Sequence, residues 1–247
     1  MKKSPTLALV ASLAVCGSAS ATIINGDGLQ DALYAAGARN IDVHNDQQQP
    51  DEVWMVTSTG FAGARLLFEL AGWANENAFG VYDVTNTSNR LTIFNGPNSA
   101  NSRGLLANEG NEFCAQLWGG AQTCSLFGSG LFGFFLDTPN GVFYSERERN
   151  GDGVDHMVAY EGGDGHGYIA GRPWVENEFI LGWEDWFGGG DRDYDDFGVL
   201  VGPIVAVSEP ATLALFGIAL LALVALRRRR IRVRGSARRA AGVFHQP

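Results

Sequence analysis

Nine short runs of strand-forming residues, none longer than seven, are separated by turn formers along most of the chain. They are Val53–Thr57, Arg65–Leu70, Ala78–Asp83, Arg90–Phe94, Leu131–Leu136, Val142–Ser145, Val154–Tyr160, Glu178–Trp183 and Phe197–Val201. Runs of this length rich in Val, Phe, Tyr and Leu read as strands. The joins carry Asn, Gly, Pro and Asp in clusters such as Asn95-Gly96-Pro97-Asn98 and Gly162-Gly163-Asp164-Gly165, which reverse the chain in a few residues. Short joins of this kind admit antiparallel pairing. The expected fold is therefore mainly β, a single antiparallel β-sandwich of jelly-roll type over 22–204. One helix precedes it: Leu29, Ala32, Leu33 and Ala36 share a face, and Gly37 stops the run. Residues 95–130 show no clear period and read as a long loop.

Charge excludes one class of partner. Of 18 Lys+Arg, two lysines lie at positions 2 and 3 and eight arginines lie between Arg227 and Arg239. Residues 22–207 hold 26 acids against eight arginines, a net −18, so phosphate backbones are repelled and no nucleic-acid partner is expected.

Residues 1–21 have the form of a signal peptide: Lys2 and Lys3, an apolar run Leu7–Val15, and Ala19-Ser20-Ala21 before Thr22. Cleavage between Ala21 and Thr22 removes Cys16 and leaves Cys114 and Cys124. In an exported chain that pair points to a disulfide. A metal pair is the alternative, though no further Cys or His stands at ligand spacing. At the other end, 211–226 is uncharged and marginal for a membrane helix. Arg227, Arg228, Arg229 and Arg230 follow, placing that side in the cytoplasm, and 235–247 is a basic tail.

The sharpest local feature lies between two strand runs. Glu184, Asp185, Asp191, Asp193, Asp195 and Asp196 fall within 13 residues, with Gly188-Gly189-Gly190 among them. Gathering such carboxylates raises their pKa values unless a cation relieves them. A hard cation taking six to eight oxygens fits, and Ca²⁺ fits best; a solvated acidic hairpin is the alternative. A second acidic stretch, Glu148 to His156, offers Asn150, Asp152 and Asp155 to the same site. It also reads as a plain Asn-Gly/Asp-Gly turn, with His156 as a hydrogen-bonded core residue. No G-x-S-x-G or H-E-x-x-H sequence is present, and no lysine follows the glycine runs as a phosphate loop requires, so no enzyme is expected. Trp183 and Trp186 fall on opposite faces of an extended chain, one for the core and one for solvent.

Two resemblances attach to these residues. Ser208-Glu209-Pro210-Ala211-Thr212-Leu213, the apolar run and Arg227–Arg230 resemble the PEP-CTERM sorting signal, with Ser208 where its first Pro is usual. The resemblance assigns 205–234 to that signal. It implies an exosortase-like membrane protease as partner, export through the inner membrane of a Gram-negative-type bacterium, transient membrane anchoring, and then the cell surface or the medium. Leu66–Gly72, Asn77–Asp83, Gly133–Leu136, Asn150–His156 and Trp183 to Asp196 together resemble the β-rich DUF 4114 domain, with Trp183 where Phe is usual before Glu-Asp. That likeness implies a β fold, export and bound calcium, and no reaction. The joint expectation is a calcium-stabilised structural or adhesion protein of the cell surface or exopolysaccharide matrix. The alternative is a calcium-dependent carbohydrate-binding module whose partners are surface glycans.

Overall fold

The computed structural model describes residues 21–70, 72–163, 165 and 167–207. The signal segment up to residue 20, Ser208, Glu209, Pro210, the expected helix at 211–226, Arg227–Arg230 and the basic tail lie outside the described residues. Among those described, no helix is long and apolar enough to cross a membrane.

Helix α1 spans Gly28–Ala35, and fifteen strands follow. They are β1 (Trp54–Val56), β2 (Phe61–Glu69), β3 (Ala78–Asp83), β4 (Asn86–Phe94), β5 (Arg103–Glu109), β6 (Glu112–Leu117), β7 (Thr123–Leu126), β8 (Phe132–Thr138), β9 (Gly141–Tyr144), β10 (Met157–Glu161), β11 (Tyr168–Ile169), β12 (Arg172–Pro173), β13 (Phe179–Trp183), β14 (Phe197–Gly202) and β15 (Ile204–Ala206). One sheet runs β15-β1-β8-β3-β4, with β9 also on β8; the other runs β10-β13-β14-β2-β5-β6-β7. Strands β11 and β12 form a small separate ribbon, and the pairings within all three sheets are antiparallel.

The two large sheets pack face to face over an aromatic core. Phe79 stacks on Phe134 and on Phe197, both with ring centroids 5.5 Å apart, and Trp54 meets Phe179 edge-on at 4.8 Å. Offset and edge contacts of this kind contribute beyond simple area burial. The second sheet is buried on its other face as well. In β13, Phe179, Leu181 and Trp183 enter the sandwich core, while Ile180 joins a second cluster with Leu29 and Leu33 of α1, Ile41, Val43 and Trp174. A strand covered on both sides needs apolar residues at every position, which is why 179–183 reads as an unbroken run instead of an alternation. The register of β14 against β2 shifts between Gly198 and Val199. This shift puts both Leu67 and Phe68 on the outer face. A methyl group on Gly198 would lie 2.2 Å from the Phe68 ring, so only glycine fits there.

The sandwich expected from the sequence is present, with α1 and the following loop as a third layer. Residues 95–130 are a correction: they contain the β5–β6–β7 meander and not a long loop. These strands lie toward one edge of the sheet; burial alternates with exposure along β5 and β6, and the edge strand β7 has no buried residue. Polar residues such as Arg103, Glu109 and Glu112 therefore interrupt the apolar signal. Cys114 and Cys124 face each other across β6 and β7 and form the disulfide. Closing so short a loop removes unfolded-state freedom equivalent to about 2.7 kcal/mol by the chain-entropy argument.

The third layer is a packed part of the fold, so trimming it should be costly. Leu29 is fully buried. Leu29→Ala is expected to lower unfolding free energy by about 2–5 kcal/mol in urea titration; a change below about 1 kcal/mol would show that α1 merely rests on the sheet.

Candidate metal centre

The 13 residues 184–196 connect neighbouring strands β13 and β14. Because β13 is enclosed on both faces, the chain cannot turn outward at once, and Glu184 and Asp185 are delivered into the interior. Glu184 is fully buried and Asp185 nearly so. The return path is a chain of left-handed residues: Gly188, Gly189 and Gly190 have φ of 88°, 80° and 45°, and Arg192 and Tyr194 have φ of 63° and 58°. Such a path folds the loop back over Glu184.

The six acids separate into two groups. In the first, carboxylate oxygens of Glu184, Asp191 and Asp193 all lie within 4.8 Å of one another. Oxygens bound to one calcium at about 2.4 Å can be at most about twice that distance apart, so the spacing suits a shared ion. Glu184 Oε1 accepts the Tyr194 N–H at 2.8 Å. Among the described residues, its Oε2 is buried without any hydrogen-bond partner. A methyl group built on Gly190 would sit 2.4 Å from that oxygen, so the space beside it exists only because residue 190 has no side chain. An orphaned buried carboxylate oxygen costs free energy unless a cation or a proton meets it. Asp193 and Asp195 lie against the start of α1, their Oδ2 atoms 2.6 and 2.7 Å from where a Gly28 side chain would begin. The positive end of the helix dipole favours negative charge there.

In the second group, Asp196 Oδ2 accepts the Asp185 N–H at 2.9 Å, and Asp185 Oδ2 accepts from Asn77 at 3.1 Å. Glu69 belongs here too, because it lies opposite Phe197 in the β2–β14 register. Neither Glu69 nor Asn77 carried a local sequence signal, since each comes from a distant strand or loop.

The stretch from Glu148 to His156 adjoins the hairpin without adding its oxygens to the three-carboxylate cluster. Asn150 bonds through its amide to Tyr144 and Val154. Asp152 accepts from the Gly188 N–H at 2.7 Å, binds His156 Nε2 at 2.9 Å and so ties the two loops together. His156 is a buried, hydrogen-bonded residue stacked on Phe143. Asp155 accepts from the Thr22 hydroxyl and supplies its backbone carbonyl to Tyr194 Oη. Thr22, where the mature chain is expected to begin, is also held by Gln47 through both its N–H and its carbonyl. Trp183 is fully buried, whereas Trp186 is half exposed and stacks on Trp73.

Burial, reinforced by Asp196, Asp191 and Asp193, pushes the Glu184 carboxyl up to about 8 against the opposing Tyr194 hydrogen bond. Burial and the adjacent Asp193 raise Asp195 to about 6. Burial and the nearby Asp185 carboxylate raise Asp196 to about 7, despite the Asp185 N–H, and Glu69 to about 7. Without a cation, Glu184 is thus largely protonated at neutral pH.

Residues 206–230 match the PEP-CTERM protein-sorting motif. The motif begins where β15 ends against β1. It is recognised by an exosortase during sorting, and it marks the chain for export, transient membrane anchoring and surface display. No curated protein and no solved structure matches the chain.

The raised pKa values fix the sign of a pH response. Native Glu184 keeps its proton up to about 8, while the unfolded chain loses it near the ordinary value of 4.5. The native state therefore binds more protons in that window, and stability falls as pH rises through it. With chelator present, the melting temperature is expected to drop between about pH 5 and pH 8. A flat or rising profile in that range would contradict the buried-carboxyl geometry.

Proposed function

We propose that this chain is an exported, non-enzymatic structural or adhesion protein of the cell surface or exopolysaccharide matrix, and that Ca²⁺ held by the 184–196 hairpin stabilises its β-sandwich. The observation that carries the calcium reading is the unpartnered, fully buried Oε2 of Glu184 facing Asp191 and Asp193. Glu184, Asp191 and Asp193 would hold the ion, with Asp195 beside Asp193 as a further oxygen source. Calcium accepts many oxygens in a flexible geometry, whereas Mg²⁺ demands a regular octahedron that three convergent carboxylates on one loop suit poorly. The sorting motif supports surface delivery, and the DUF 4114-like order of motifs supports the same combination of β fold, export and calcium.

A calcium-dependent carbohydrate-binding module is the second reading. It draws on Trp186, half exposed and stacked on Trp73 with ring centroids 6.3 Å apart, next to an exposed Phe187 on the same hairpin. Glycan-array binding that chelator abolishes and Trp186→Ala removes would favour it over a purely structural role.

Ligands that bind only the native state stabilise by RT ln(1 + [L]/Kd). For extracellular modules with Kd of about 10⁻⁴–10⁻³ M, millimolar Ca²⁺ is expected to add about 0.4–1.4 kcal/mol. The melting temperature should rise with Ca²⁺, fall with chelator, and recover weakly with Mg²⁺. Glu184→Gln and Asp193→Asn should lose the response. Variants that melt higher than the parent, together with a parent indifferent to calcium, would establish a solvated acidic hairpin instead.

A further inference from the structure

The outer face of the second sheet is covered by α1, its following loop and the β11–β12 ribbon at one side only. Beyond that cover lies a cavity of about 350 Å³. Arg65, Arg103 and Arg172 line it, with Trp118. Three of the eight arginines in a body of net charge −18 therefore meet in one place.

The arrangement is electrostatically unfavourable on its own. Arg65 and Arg103 are direct cross-strand partners of β2 and β5. Like charges directly opposite each other destabilise a sheet. Burial, with Arg103 and Arg172 nearby, pulls the Arg65 pKa down. One carboxylate reaches the cavity, Glu178, and Arg172 holds it in a two-point contact of 2.7 and 2.8 Å. Among the described residues, Arg65 bonds only to the Ala170 carbonyl and the Asn101 side chain, and its Nε is buried without a partner. Among the described residues, Arg103 forms no ion pair. The cavity thus holds unused, rigid guanidinium donors that match a planar carboxylate. Trp118, whose backbone N–H binds the Arg103 carbonyl at 2.7 Å, is 69% exposed at its rim. It presents an apolar ring face that a bare inorganic anion cannot use.

We infer that this trough binds a carboxylated sugar: the carboxylate between Arg65 and Arg103, the pyranose ring against Trp118. The volume suits one or two sugar units, near the lower end for ligand sites. The strongly acidic remainder of the surface disfavours a dense polyanion lying along it and favours a single acidic residue entering a confined positive pocket. The site shares no residue with the acidic hairpin and needs no calcium. It draws on the surface-matrix reading only for the source of the sugar.

The test is isothermal titration of the purified full-length protein at low salt, with chelator present. The probes are trigalacturonic acid, a neutral galactose trisaccharide and inorganic phosphate. Trigalacturonic acid is expected to bind, and each of the other two to bind at least about tenfold more weakly. Arg103→Gln and Trp118→Ala should each weaken trigalacturonate about tenfold or more, and Arg103→Lys, which keeps the charge and loses the fork, should fall between. Arg103→Gln also removes a like-charge pair, so its ligand-free melting temperature should not drop; a merely structural arginine would lower it. Equal binding of the neutral sugar or of phosphate overturns the proposal. So does undiminished binding by Arg103→Gln, or a requirement for Ca²⁺. Self-association abolished by Arg103→Gln, without sugar binding, would assign the trough to contact between copies of the chain. Because the titration contains chelator, a negative result leaves the calcium reading standing, and loss of the calcium response leaves this one standing.

Discussion

The burial of β13 on both faces is the constraint from which the candidate site follows. Phe179, Leu181 and Trp183 are committed to the sandwich core and Ile180 to the cluster beneath α1. The chain leaving Trp183 is still inside the molecule, so Glu184 and Asp185 arrive as buried acids. Burial of a carboxylate without compensation is expensive. Every unusual feature of the hairpin answers that cost: the three left-handed glycines that fold it back, the Tyr194 N–H on Glu184, and Gly190 clearing space beside Oε2. The third layer participates through Gly28, whose missing side chain lets Asp193 and Asp195 approach the start of α1.

The same second sheet carries the opposite charge elsewhere. Arg65 and Arg103 face outward where the third layer ends, and the acids gather where β13 and β14 are joined. A body with 26 acids and eight arginines thus contains two concentrated charge clusters of opposite sign. Each is repulsive within itself, and each is suited to an ion of the other sign.

Much of the fold was legible in the sequence, for identifiable reasons. The nine strand runs were visible because their residues are apolar on one or both faces, and α1 because Leu29, Ala32 and Leu33 recur at helical spacing. The β5–β7 meander was not, because one face of it is solvated and Arg103, Glu112 and Gln116 on that face leave no continuous apolar run. In the site, the density of acids between 184 and 196 was plain, but their division was not. Glu184 joins Asp191 and Asp193, while Asp185 turns to Asp196, Asn77 and Glu69. Successive side chains leave an extended chain on opposite sides, and the partners on β2 and before β3 are over a hundred positions away. The arginine trough was invisible for the same reason: Arg65, Arg103 and Arg172 become neighbours only through sheet pairing.

The central claim is that the hairpin exchanges a proton for a cation at Glu184. Calcium binding should therefore release a proton at neutral pH, because the Glu184 carboxyl, raised to about 8, must ionise when the ion arrives. Calorimetric titration with Ca²⁺ at pH 7, in two buffers of different ionisation enthalpy, measures that release directly. Roughly one proton per calcium bound is expected, with the release diminished in Glu184→Gln. Calcium binding with no proton release, or identical release from Glu184→Gln, would contradict the proton-for-cation exchange.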